Sequence, residues 1–178
     1  MSRRGFTFIE VLAVVVLLGL LAGATAWSLA ESARRSSLEN IVGRIAHVDR
    51  TTRIAAERFG EPRTLRFDLD RGRLQRVARG DDGEKHGSHA TRIPAPFRIG
   101  EIVLPRPGGR AERFDVGVVE LVCSPGGRSK TYAIRVDAPE ESVWLVFSGL
   151  TGQMILIEHE SDVDDIFALL EAGRPDAD

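Results

Sequence analysis

Glu10 is the residue of this chain whose type and position most clearly call for a chemical explanation. It is the first acidic residue, and the twenty residues after it, Val11 to Ala30, carry no formal charge. A carboxylate in an apolar helix of membrane length is costly, and such residues usually have a function. If the peptide bond after Gly5 were cut, the new amine on Phe6 would lie about one helical turn before Glu10. This spacing predicts an ion pair between the amine and the carboxylate of its own or a neighbouring chain.

A second group of residues that could do chemistry lies in the polar segment 79–95. Its acidic and imidazole side chains are Asp81, Asp82, Glu84, His86 and His89. The His-x-x-His spacing could hold a divalent metal ion. Solvated loops collect such residues by default, however, and no second cluster of matching ligands occurs in the sequence. We therefore expect a mobile surface loop and no bound cofactor, with metal binding by this loop as the alternative.

A third group of ionisable residues lies in segment 44–58 and consists of Arg44, His47, Asp49, Arg50, Arg53 and Arg58. The simplest interpretation is the solvated face of an amphipathic helix. The sequence shows no nucleophile motif, phosphate-binding loop or redox pair. We therefore do not expect an enzyme.

The first element that must position Glu10 is a membrane-length helix. Twenty residues span about 30 Å in an α-helix, which is the thickness of the hydrocarbon layer. A conventional secretory signal has a shorter apolar core of about 7 to 15 residues, so it is disfavoured, while a plain single-pass anchor stays open. Gly19 and Gly23 form a G-x-x-x-G element that could let neighbouring helices approach closely. The alternative is that glycine is simply frequent in membrane helices.

The helix is expected to continue as an amphipathic half from residue 31 to 60. Its apolar residues recur every three or four positions and line one face: Leu38, Ile41, Val42, Ile45, Val48, Ala55, Ala56 and Phe59. Gly60 is a suitable C-cap, and Pro62 cannot extend a helix. The second half of the helix should therefore end near residue 60 and pack on a sheet.

Residues 61–178 have the alternating pattern of a β-rich globular domain, which makes the fold class α+β. The predicted strands are Thr64–Leu69, Arg73–Ala78, Phe97–Leu104, Phe114–Cys123, Thr131–Asp137, Ser142–Phe147 and Met154–Ile157. A hairpin turn is expected at Asp70-Arg71-Gly72. A short C-terminal helix over Ser161–Glu171 is expected to cover an exposed sheet edge or to dock on a partner. Cys123 is the only cysteine, so it should be a buried, inert thiol.

The charge distribution narrows the choice of partners. The formal net charge is -2, and the segment 158–178 holds eight acidic residues against Arg174 alone. Nucleic-acid binding requires a basic surface. Direct contact with nucleic acid is therefore disfavoured.

The string MSRRGFTFIEVLAVVVLLGLLAG resembles the class III signal segment of type IV pilins and of type II secretion pseudopilins. The resemblance implies that residues 1–5 are a leader removed between Gly5 and Phe6 by a membrane prepilin peptidase. It also implies methylation of the Phe6 amine and use of Glu10 to dock each subunit during assembly. The N-terminus would be cytoplasmic and the domain periplasmic, joined by a membrane helix over residues 6–30 that leaves the inner membrane when a filament forms.

The second half of the chain adds to this resemblance. The segments 121–127, 132–134, 144–146 and 150–154 are similar to the closing strands of H-type minor pseudopilins and their minor pilin relatives. The resemblance implies a pilin-like fold and a structural role in the filament of a type II secretion system, with other pseudopilins or pilins as partners. The alternatives are a minor subunit of a type IV pilus that serves adhesion, motility or DNA uptake, and a plain membrane-anchored extracytoplasmic binding domain.

Overall fold

A computed structural model describes residues 8–78, 90–106 and 111–172, which belong to two compact units that divide after Asn40. The first element, α1, extends from Phe8 to Phe59. It ends as the sequence predicts, because Gly60 adopts a left-handed conformation (φ 64°) and its amide donates to the carbonyl of Glu57 at 3.3 Å. Such a residue caps a helix, and Pro62 then prevents its extension.

The described residues after α1 form nine strands and a second helix. The elements are β1 (Arg63–Asp68), β2 (Arg73–Ala78), β3 (Thr91–Arg92), β4 (Arg98–Leu104), β5 (Glu112–Phe114), β6 (Val118–Cys123), β7 (Tyr132–Asp137), β8 (Ser142–Phe147), β9 (Met154–Ile157) and α2 (Glu160–Ala172). Six of the seven predicted strands and the C-terminal helix agree with these bounds to within one residue. The α+β prediction is confirmed.

The strands form two antiparallel sheets. Sheet A has the order β3-β2-β1-β6, and sheet B has the order β5-β4-β7-β8-β9. The predicted hairpin joins β1 to β2, with Arg63 opposite Ala78 and Asp68 opposite Arg73. Its turn contains Gly72 at φ 57°, a conformation that glycine adopts at little cost.

The predicted strand Phe114–Cys123 is wrong, because it contains a change of sheet. Phe114 ends β5 in sheet B, and Val118 begins β6 in sheet A. Gly117 lies between them at φ 82°, and its carbonyl accepts a hydrogen bond from the amide of Leu69 at 2.9 Å. A left-handed residue redirects the chain, so the apolar alternation continues while the strand does not. The prediction also missed β3, which lies in the segment expected to be a loop and pairs with Arg73 and Leu74 of β2.

An aromatic cluster joins the two sheets in the core. Tyr132 of sheet B stacks on Phe147 of the same sheet with ring centroids 4.8 Å apart. Phe67 of sheet A packs against Tyr132 in an edge-to-face geometry, with ring centroids 6.0 Å apart. All three side chains are fully buried. Cys123 is also buried, as predicted, and burial raises the pKa of its thiol to about 11, which makes it inert at neutral pH.

Two further predictions require correction. Phe59 was expected on the buried face of α1, yet it is 60% exposed, and the guanidinium of Arg63 lies 5.0 Å from its ring centroid. The helix α2 was expected to cover a sheet edge, but it packs on the face of sheet B. Its Val163 and Phe167 join Trp144 and Val146 in one buried cluster. The face of a sheet presents apolar side chains on which a helix can pack, whereas its edge presents mainly backbone N–H and C=O groups.

Candidate assembly site

The predicted assembly residue Glu10 lies in the first turn of α1 and is exposed. A carboxylate at this position interacts favourably with the positive end of the helix dipole. The other members of the predicted site, Gly5 and Phe6, lie outside the described residues. The pairing of the Phe6 amine with Glu10 therefore stays a prediction.

The segment Phe8–Ser28 of α1 is long and apolar enough to cross a membrane, and none of it is buried within the protein. The one polar side chain in its interior, Thr25, is satisfied locally, because its hydroxyl donates to the carbonyl of Ala22 at 2.9 Å. In a hydrocarbon layer polar groups must find such internal partners. From Val11 to Ala26 the segment therefore presents an apolar surface suited to lipid.

Gly19 and Gly23 leave an open strip on this surface. A Cβ atom built at either position would meet nothing within 4 Å. Such a strip has room for a second helix at close range. The proposed packing role of the two glycines stays a prediction.

The charged residues of segment 44–58 do not form one solvated face, which corrects the prediction for two of them. His47 and Arg50 are exposed, but Asp49 is 1% and Arg53 is 7% exposed. The Nε atom of Arg53 donates to Oδ2 of Asp49 at 2.7 Å. The hydroxyl of Tyr132 donates to Oδ1 of the same carboxylate, also at 2.7 Å. The ion pair thus lies in the core and faces the aromatic cluster.

Arg53 also fastens two loops to α1. Its Nη1 atom donates to the carbonyl of Gly127 at 3.1 Å and to that of Gly149 at 3.0 Å. Its Nη2 atom donates to the Ser129 hydroxyl at 2.8 Å. Gly127 and Ser129 lie between β6 and β7, and Gly149 lies between β8 and β9. One guanidinium therefore connects α1 to two loops: the loop that links sheet A to sheet B and the loop between β8 and β9 of sheet B.

The environment of this network shifts two pKa values. Burial works against the charge of Arg53, but the hydrogen bond and ion pair with Asp49 outweigh it and raise the pKa of the guanidinium. Burial, followed by the negative charge of Asp49, raises the pKa of the Tyr132 hydroxyl well above its usual value. Both groups keep their protons at physiological pH. The network is suited to holding a shape and has no group poised to transfer a proton.

Gly149→Ala should lower the free energy of unfolding by about 1 to 3 kcal/mol, the usual cost of overpacking. A Cβ at this position would overlap the carbonyl oxygen of Ser129 and the amide nitrogen of Thr131. Urea unfolding in mild detergent, followed by the fluorescence of buried Trp144, measures the change. Gly126→Ala is the matched control, since its Cβ would meet nothing within 4 Å. Equal stability of the two variants would contradict the close approach at Gly149.

A second charge network attaches α2 to sheet B. Arg113 donates to Glu101 at 3.2 Å, to Glu160 at 2.6 Å and to Asp164 at 2.8 Å. Partial burial works against its charge, but the hydrogen bonds to Glu160 and Glu101 outweigh it and raise the pKa of Arg113. Acidic residues in the first turn of α2 also suit the helix dipole. This explains the acidic start of the C-terminal helix without a nucleic-acid or metal ligand.

The same network continues along the face of sheet B. Arg135 donates to Glu101 at 3.1 Å and to Asp137 at 2.9 Å, and Arg98 donates to Asp137 at 3.0 Å. An open groove of about 630 Å³ lies beside these side chains and Trp144. Arg98 and Arg135 both pair with Asp137 along this groove, and Glu158, His159 and Glu160 also line it.

The candidate metal-binding residues Asp81 to His89 lie outside the described residues. Within the described ranges 8–78, 90–106 and 111–172, no group of three or more His, Cys, Asp or Glu side chains could hold a metal ion. Metal binding by the loop therefore stays an untested alternative.

Comparison with known proteins supports the N-terminal motif and the fold separately. Residues 1–26 match the family model of the prokaryotic N-terminal methylation motif. The structure is similar to that of the minor pseudopilin EpsH from the type 2 secretion system of Vibrio cholerae, with 15% identity, a TM-score of 0.50, and coverage of 68% of this chain and 95% of that chain. A crystal structure of the same protein matches with 14% identity, 70% and 94% coverage and a TM-score of 0.42. No curated protein sequence gave a significant match.

The methylation motif on residues 1–26 and the long apolar helix are typical of type IV pilin-like proteins, and the two-sheet domain has a pilin-like fold. The motif and its apolar helix indicate membrane anchoring. The domain has a fold similar to that of a solved minor pseudopilin. The N-terminal methylation motif and the pilin-like fold expected from the sequence are confirmed.

Proposed function

We propose that this chain is a structural minor pseudopilin, assembled into the envelope-spanning filament of a type II protein secretion system. The observation that carries the proposal is the combination of a prepilin-type methylation motif on residues 1–26 with a domain that has the fold of EpsH. The motif alone is common to pilins and pseudopilins. The domain fold therefore provides the support for a secretion system over a pilus.

The proposed mechanism is mechanical. Prepilin peptidase cuts between Gly5 and Phe6, and the Phe6 amine is methylated. The membrane helix holds the chain in the inner membrane with a cytoplasmic N-terminus and a periplasmic domain, until the subunit joins the filament. Glu10 then pairs with the amine of an adjacent pilin-like subunit, because a carboxylate in an apolar filament core requires a positive partner. The open strip at Gly19 and Gly23 allows close helix packing.

The buried network of the domain fits this mechanical role. Arg53 joins α1 to the loops at Gly127 and Gly149, which lie 74 and 96 residues further along the sequence. A force applied to the helix within this unit is therefore passed directly to both sheets. Such a connection suits a subunit that pushes or bears load.

The N-terminal mass of the protein tests the proposed processing. Co-expression with a prepilin peptidase should give a chain that begins at methylated Phe6, and the Gly5→Leu variant should retain residues 1–5. Gly43→Ala, an exposed glycine of the same helix, is the control and should be processed normally. A wild-type chain that keeps residues 1–5 in the presence of the peptidase would favour a plain membrane-anchored domain.

A second experiment separates the secretion system from the pilus. The chain is co-expressed with the pseudopilins of a type II secretion system, or with the minor subunits of a type IV pilus, and cross-linked partners are identified by mass spectrometry. We expect cross-links to the pseudopilins. Cross-links to pilus subunits alone would replace the secretion role with the pilus role while keeping the pilin-like class.

A further inference from the structure

Trp27 is an exposed aromatic residue at the C-terminal end of the apolar span. The span ends at Ser28, and Trp27 is 80% exposed. The only other tryptophan, Trp144, is 2% exposed in the core of the domain. Trp27 therefore contributes little to folding, and its large apolar ring needs a surrounding outside the chain.

We propose that Trp27 lies in the interfacial layer of the lipid bilayer and fixes the depth of the membrane helix, so that Glu10 lies at the opposite boundary. The proposal rests on the membrane anchoring included in the proposed function. The partner is the lipid headgroup region, which tryptophan favours because its ring is apolar while its indole N–H can donate a hydrogen bond.

The distance between the two residues fits this arrangement. Seventeen residues separate Glu10 from Trp27, which corresponds to about 25 Å along an α-helix, compared with about 30 Å of hydrocarbon. Side chains on a helix tilt toward its N-terminus. The Glu10 carboxylate therefore points toward the nearer boundary and can reach it, while the Trp27 ring covers the turn before its own Cα atom. A single position of the helix in the bilayer therefore places the Trp27 ring at one boundary and the Glu10 carboxylate at the other.

The sequence between the two residues provides no competing marker of depth. Thr25 is the only polar side chain from Val11 to Ala26, and its hydroxyl donates to carbonyls of its own helix. Beyond Trp27, three uncharged residues precede Glu31. Without an aromatic anchor the helix could slide by these three residues, roughly 4.5 Å, which would move Glu10 out of the membrane. Trp27 is thus a positioning residue for Glu10.

The depth of the ring is tested first, with the full-length chain in phosphatidylcholine vesicles and no other pilin-like protein. Trp144→Phe makes Trp27 the only tryptophan, and lipids brominated at different acyl positions report the depth of its ring. We expect blue-shifted emission with the strongest quenching by the shallowest bromines. Strongest quenching near the bilayer centre, or water-like emission without quenching, would overturn the inference and leave membrane anchoring intact. Failure of the chain to bind vesicles at all would overturn the anchoring as well.

The positioning role is tested by a spin label at Ile9→Cys in a Cys123→Ala background. Trp27→Leu should move this label toward water by roughly 4.5 Å, the rise of three helical residues, as measured by the accessibility of the label to oxygen and to a polar relaxation agent. Trp27→Tyr keeps an amphipathic aromatic ring and should leave the depth unchanged. An unchanged label depth in Trp27→Leu would show that Trp27 does not set the depth of the membrane helix. This result is expected if the ring contacts only neighbouring filament subunits.

Discussion

Arg53→Met should lower the free energy of unfolding by about 3 to 5 kcal/mol, the cost of breaking a buried ion pair from one side. The substitution keeps an apolar stem of similar length but removes every donor of the guanidinium. Asp49 would then be a buried carboxylate whose remaining hydrogen-bond partner among the described residues is the Tyr132 hydroxyl. The carbonyls of Gly127 and Gly149 would lose their bonds as well, and unsatisfied buried groups carry a full desolvation cost.

Urea unfolding in mild detergent measures this effect, and the same helix offers a matched control. Arg50 is exposed three residues earlier, so Arg50→Met should change the free energy of unfolding by less than about 0.5 kcal/mol. Similar values for the two variants would contradict a structural role for the Arg53 network.

A double-mutant cycle separates the ion pair from simple packing. Asp49→Ala alone leaves a buried cation without its carboxylate, and Arg53→Met alone leaves the carboxylate without its cation. The double variant removes both charges, so its loss of stability should be smaller than the sum of the single losses by about 0.5 to 3 kcal/mol. Additive losses would show that Asp49 and Arg53 act independently despite their 2.7 Å contact.

The sequence predicted the N-terminal helix, its end and most strands because these depend on local patterns. Apolar spacing identifies a helix face, and Gly60 with Pro62 marks its end. The network around Arg53 could not be predicted in the same way, since its partners at Gly127 and Gly149 are 74 and 96 residues away. One local signal was available. Asp49 and Arg53 are four residues apart, in line with Ile45 and Ala56 on the apolar stripe, and a charge pair within such a stripe points inward.

The change of sheet between β5 and β6 illustrates a second limit. Alternation of apolar residues records which face a side chain occupies, but it does not record which sheet the strand belongs to. Phe114, Val116 and Val118 alternate across the turn at Gly117 although Val116 and Val118 are exposed, so the pattern appeared as one long strand. The assembly site behaves differently, because its predicted chemistry depends on a few adjacent residues at the N-terminus. Sequence was sufficient to propose it.

Glu10→Leu should leave membrane insertion intact and reduce incorporation into the filament by about tenfold or more, as expected when one member of a buried charge pair is lost. Insertion should be retained because the substitution removes a charge from a membrane-length apolar helix. Incorporation should fail because the amine of the adjacent subunit loses its carboxylate. Carbonate extraction of membranes measures insertion, and the amount of the chain in sheared or cross-linked filaments measures incorporation.

Two variants make this test specific for the charge. Glu10→Asp keeps the carboxylate and should restore part of the incorporation, with a deficit set by its shorter side chain. Glu39→Leu alters an exposed carboxylate of the same helix beyond the apolar span and should assemble normally. If Glu10→Leu entered filaments as well as wild type, the carboxylate would have no role in assembly. The free-energy cost of placing the Glu10 carboxylate in the membrane would then have to be offset in another way. The interfacial depth set by Trp27 would provide this, because it places the carboxylate near water.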